Sequence, residues 1–125
     1  MKYIFIFLTS SILAGCYGPR VEHIKVNKND SKSISDSMPV MSKEDIASKS
    51  YKLLSPLTAT SCKNKAWDAS PTIEDAMLQL KIKAKSMDAD ALINVNCEAP
   101  RGTSVDTNCW SSIACHAAAI KFDTK

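Results

Sequence analysis

Five cysteines stand at positions 16, 62, 97, 109 and 115, and the first differs in kind from the rest. Cys16 closes the tetrad Leu13-Ala14-Gly15-Cys16, which follows an apolar run from Ile4 to Leu13 and a single early Lys2. An opening charge, a short apolar stretch and small residues before a cut site form a secretory signal. A Cys at that cut site makes it a bacterial lipoprotein signal: the thiol is diacylated and the chain is cleaved before Cys16. Residues 1–15 are then a removed signal peptide. The rival reading, a membrane-spanning helix, needs about 20 apolar residues. This run is shorter and is interrupted by Thr9, Ser10 and Ser11. Each buried CH₂ contributes about 0.8 kcal/mol, so two or three acyl chains hold a protein stably on a bilayer. Tyr17 and Gly18 follow the Cys, with no Asp there. Under enteric-type sorting this sends the lipoprotein to the outer membrane, facing the periplasm, with partial surface exposure left open.

Setting Cys16 aside leaves an even four. Export places them in an oxidising compartment, where an even set in a small domain reads as a disulfide framework. A zinc site wants ligands at C-x₂₋₄-C spacing, and the closest pair, Cys109 and Cys115, is too wide. Two disulfides and no metal are therefore expected. Four cysteines allow three pairings, and spacing does not choose among them. A core of roughly 75 residues supplies only a few kcal/mol. A bridge closing a long loop adds about 2–4 kcal/mol. Both bridges are thus expected to be needed for folding.

Residues 16–50 read as a lipidated flexible tether. The middle, Asn27 to Ser37, is polar, mixed in charge and poor in aromatics, and such a segment buries too little to offset its ordering entropy. Fully stretched, a segment of this length reaches about 110 Å. Two pieces in it carry weaker order signals. Val21 to Val26 alternates like a strand, and Ser42 with Asp45 three residues on is a capping-box pattern for a short helix. The globular domain is expected over residues 51–125. Its first strand runs from Tyr51 towards Cys62 and is bent or broken at Pro56. Ser70-Pro71-Thr72 opens a helix with acids in its first turn, and Ile73, Ala76, Met77, Leu80, Ala84 and Met87 form one helical face. Ala91 to Cys97 reads as a strand, residues 99–108 as a loop, and Cys109–Cys115 and Ala117–Asp123 as two short terminal strands. The expected fold class is α+β: a β-α-β unit, its strands paired in parallel, followed by two short strands, with one main helix packed on a small disulfide-stapled sheet.

No catalytic constellation appears. There is no C-x-x-C pair and no glycine-rich phosphate loop, and His23 and His116 are the only histidines. His116 beside Cys115 suggests a nucleophile or ligand pair only if Cys115 is free; a disulfide there makes it an ordinary strand residue. The net charge of +3 falls when Lys2 is removed and the new amino terminus acylated, and no basic arm argues for nucleic acid. Trp67 and Trp110 are candidate partner anchors, since aromatics are frequent at hot spots; covering the small core is the competing role. Lys81 and Lys85, with Lys83, offer contacts for an acidic partner or for lipopolysaccharide phosphate, against the plainer reading of a solvated helix face.

The residues Ser61-Cys62, Ser70-Pro71-Thr72, Ala76, Ala84-Lys85-Ser86-Met87, Ala89, Ala91, Cys97-Glu98, Cys109, Cys115 and Ala118 together resemble the RcsF family of outer-membrane lipoproteins, which sense envelope stress for the Rcs phosphorelay. The resemblance spans Leu54 to Lys125. It implies a small α/β domain with two non-consecutive disulfides, Cys62–Cys109 and Cys97–Cys115. It implies no enzyme and no cofactor beyond the lipid on Cys16. The implied partners are the inner-membrane inhibitor IgaA, outer-membrane β-barrels and the Bam machinery, met by a monomer held on the membrane. The tether departs from the family's proline-rich, basic pattern, with only Pro19 and Pro39 in it. A structural or ligand-binding outer-membrane lipoprotein on the same scaffold is the alternative, and a thiol-active enzyme a third.

Overall fold

The computed structural model describes residues 27–98, 102 and 108–124. The tetrad Leu13-Ala14-Gly15-Cys16, the alternating stretch at 21–26 and nearly all of the loop at 99–107 lie outside the described residues. Seven elements follow in order: α1 (Lys28–Ser37), β1 (Val40–Met41), α2 (Lys43–Ile46), β2 (Tyr51–Lys63), α3 (Ile73–Ser86), β3 (Ala91–Cys97) and β4 (Ser111–Phe122).

Helix α3 forms where its start and stop signals place it. Thr72 caps it by accepting from the Asp75 N–H at 3.1 Å. Glu74 and Asp75 lie in its first turn and Lys83 and Lys85 in its last, matching the helix dipole at both ends. Ala76, Leu80 and Ala84 are fully buried, while Ile73 and Met87 are exposed. The apolar stripe therefore packs through its centre only, and its two terminal members overhang the sheet.

The four strands form one sheet in the order β1-β3-β4-β2. β4 is antiparallel to both β2 and β3, and β1 is parallel to β3. The expected α+β class holds, with three differences in detail. The two short terminal strands are one strand of 12 residues. This strand lies between β2 and β3, so the two outer members of the β-α-β unit run the same way without touching. The disulfides fit this arrangement: Cys62 is joined to Cys109, just ahead of β4, and Cys97 to Cys115 within it. Each bridge ties the last strand to a different neighbour. β2 also runs unbroken through Pro56, with a register shift between Leu53 and Ser55. As an edge strand it tolerates a residue without an N–H.

The third difference lies before Tyr51. The described part of the expected tether carries α1, β1 and α2. Met38 is only 2% exposed and packs with Leu80, Ala84 and Leu92 beneath α3. Ile46, 8% exposed, joins Ala91, Ile93 and Ile120 in a smaller cluster on the opposite face. The polar composition conceals these two anchors because each is a single apolar residue. α2 begins with the capping box read from the sequence: Asp45 N–H donates to Ser42 Oγ, and the Ser42 N–H donates back to Asp45 Oδ2. The backbone N–H of Ser42 on the Asp45 carboxylate holds its pKa below the usual value. Past α3, Lys121 donates to Asp88 Oδ2 at 2.6 Å, which lowers the Asp88 pKa and raises that of Lys121.

Candidate functional site

One end of the sheet gathers the residues with the most to offer a partner. β2 ends at Lys63, whose carbonyl accepts from the Trp110 N–H at 2.7 Å. The Cys62–Cys109 bridge, with Cα atoms 5.6 Å apart, fixes the residue before Trp110 to the residue before Lys63. The chain then turns at Asn64–Asp68, where Asp68 Oδ2 accepts from the N–H groups of Asn64 and Lys65. This side-chain-to-backbone turn holds out Trp67. The Thr72 N–H donates to Ser61 Oγ at 3.2 Å, bringing the start of α3, and with it Ile73, to the same end. The result is a rim of apolar side chains around a disulfide: Trp67 is 82% exposed, Trp110 58% and Ile73 48%. Lys65 Nζ lies 5.8 Å from the Trp67 ring, within cation–π range.

Neither Trp covers the core. The sequence named both and left their role open between anchor and cover. It missed Ile73, which its helical spacing had assigned to the buried stripe. The detectable signal was position: Ile73 is the first residue of the helix, ahead of the turn that packs.

The lysines named with them are placed elsewhere. Lys81 Nζ donates to the Ser35 carbonyl and hydroxyl at 2.9 and 3.2 Å, and Lys85 Nζ to Ser37 Oγ at 3.0 Å. Both therefore fasten α1 to α3. Lys83 donates to the Thr58 carbonyl at 2.6 Å.

His116 forms no pair with Cys115. Cys115 is buried and bonded to Cys97, and neighbouring strand residues point to opposite faces. On the open face, His116 Nδ1 lies 2.9 Å from Thr58 Oγ1 and its Nε2 lies 3.3 Å from Glu98 Oε1. The order hydroxyl, imidazole, carboxylate is that of a hydrolytic triad. It sits on a flat, partly exposed strand surface, so it reads as a cross-strand polar ladder. An open groove of about 410 Å³ between β1, α2 and β3 is lined by Val40, Met41, Ser42, Lys43, Asp45, Asn94 and Val95. The Asp45 carboxylate there is already held by the capping box. Among the described residues no group of three or more His, Cys, Asp or Glu is placed to hold a metal ion. No helix among them is long and apolar enough to cross a membrane.

A comparison with curated proteins returns no match. Among solved structures, the chain is similar to a crystal structure of a protein of unknown function of the DUF74 family from Pediococcus pentosaceus ATCC 25745. The identity is 20% and the TM-score 0.44, over 69% of this chain and 98% of that one. A likeness at that level carries no argument. The model of the RcsF lipoprotein family matches residues 12–123, a span that takes in the tetrad Leu13-Ala14-Gly15-Cys16 and runs one residue past β4. The chain belongs to the RcsF lipoprotein family, whose members are regulatory sensor lipoproteins rather than enzymes.

Proposed function

We propose that this protein is an outer-membrane lipoprotein that senses envelope stress and activates the Rcs phosphorelay by contacting the inner-membrane inhibitor IgaA. Residues 1–15 are the signal peptide, Cys16 is the lipid anchor, and the acyl chains are its only cofactor. Outer-membrane β-barrels and the Bam machinery are the partners that hold or display the domain, which acts as a monomer. One observation carries this reading: the family match takes in the lipidation tetrad and the disulfide-stapled domain in a single span, residues 12–123. Exposed aromatic side chains at one end of the sheet, Trp67 and Trp110, suit a protein that works by contact. Deletion of the gene is expected to abolish induction of an Rcs reporter by outer-membrane damage, and restored expression to return it. Normal induction in the deletion strain refutes the reading. The periplasmic part of IgaA is expected to retain the protein in a pull-down.

A further inference from the structure

We propose that the sheet end bearing Trp67, Trp110 and Ile73 is a second membrane contact, by which the anchored domain rests on the phospholipid interface. The proposal rests on lipidation at Cys16. The three side chains are exposed, and all three belong to segments joined at the end of β2, through the Cys62–Cys109 bridge, the Trp110 N–H on the Lys63 carbonyl and the Thr72 N–H on Ser61 Oγ. Indole rings favour the bilayer–water interface, where an apolar body and a polar N–H are both accommodated. Lys63 and Lys65 flank the rings, and lysine stems lie along apolar surface while their ammonium groups reach lipid phosphates. The acids at this end do not oppose this arrangement strongly. The Asp68 carboxylate is taken up by the Asn64 and Lys65 N–H groups, and Glu74 and Asp75 sit over the positive end of α3.

Geometry brings this end to the membrane. The contacts Ser35 to Lys81 and Ser37 to Lys85 run in step along the two helices, so α1 points the same way as α3. The chain returns from α1 into β1, parallel to β3, which confirms that direction. The amino-terminal end of α1 is therefore directed towards the Trp-bearing end. From Asn27 back to Cys16 is eleven residue steps, a reach of at most about 40 Å. An acylated Cys16 keeps the domain within that distance of the bilayer, its α1 start and indoles facing the same side.

The chain contains two tryptophans, both at this end, so indole fluorescence reports on this surface alone. The test uses the full lipidated protein in vesicles of phosphatidylethanolamine and phosphatidylglycerol, with and without bromine on the acyl chains. The expected result is a blue shift on reconstitution and quenching by the brominated lipid, retained in both Trp67→Phe and Trp110→Phe, each of which keeps one reporter. Mass spectrometry of the amino-terminal peptide reads lipidation separately. A lipidated protein whose indoles show unshifted emission, no bromine quenching and unchanged quenching by aqueous acrylamide overturns the docking face alone. Quenching of only one indole overturns the two-tryptophan face. Absence of lipid on Cys16 overturns the anchor and the docking proposal with it.

Discussion

Met38 gives the sharpest test of where the folded unit begins. Were it part of a free tether, truncating it would leave stability unchanged. In the structure it is 2% exposed against Leu80, Ala84 and Leu92. Met38→Ala removes three heavy atoms beyond Cβ, worth about 2.4 kcal/mol at roughly 0.8 kcal/mol for each methylene-sized group. A cavity contribution comes in addition, and buried Met→Ala substitutions span about 2–5 kcal/mol. α1 is fastened to α3 mainly by two lysine side chains and can settle partly into the space, so the lower part of that range applies. The expected loss is about 2–3 kcal/mol. For a domain of this size each kcal/mol lowers Tm by about 4–8 °C, so the transition should fall by about 8–24 °C. Urea unfolding followed by circular dichroism, with the disulfides intact, measures it. Val40→Ala, at a position 46% exposed, is the control. A Met38→Ala change below about 0.5 kcal/mol, the range of ordinary surface substitutions, refutes the packing of this segment.

Removing the Cys97–Cys115 bridge with paired Ser substitutions should cost about 3 kcal/mol, and removing Cys62–Cys109, which closes the longer loop, about 4 kcal/mol; urea midpoints under oxidising conditions measure both. Ser42→Ala should lose about 1 kcal/mol with the capping box, seen as a lower urea midpoint. By NMR titration the Asp88 carboxyl should ionise below its usual value, because Lys121 donates to it, and Lys121→Met should return it. Asp88 and Asp45 both have depressed folded-state values, so the unfolded chain binds more protons between the folded and unfolded values. Their stabilising contribution is then present above the ordinary Asp pKa and lost as pH falls through the depressed one. Acid unfolding should begin at higher pH in Lys121→Met than in the parent.

What could be read in the sequence followed from local rules. Thr72 and the acids behind it mark the start of α3, Ser42 and Asp45 mark α2, and the β-branched run Ala91 to Cys97 is β3 residue for residue. These signals act over a few positions and survive folding unchanged. α1 carries no such signal, because Ile34 is its one large apolar residue, Met38 lies just past its end, and its polar side chains disfavour a helix on their own. It forms against α3, whose lysines receive its last turn, and that contact spans more than forty residues. β4 reads as two short strands because the polar His116 and the small Ala114, Ala117, Ala118 and Ala119 interrupt its apolar pattern between Ile113 and Ile120. Its central place is a matter of long-range pairing, which no short window contains. The tryptophans were legible as residues of interest, and their shared end was not, since it depends on the bridge joining positions 62 and 109.

The central strand is also the last to arrive. β2 and β3 meet only through β4, so a chain that emerges amino terminus first can pair only β1 with β3 until residues 111–122 follow. Closing this sheet joins residues 51 and 122, a long-range pairing of the kind that slows folding. If the chain is exported as proposed, that delay favours compaction after translocation rather than before it.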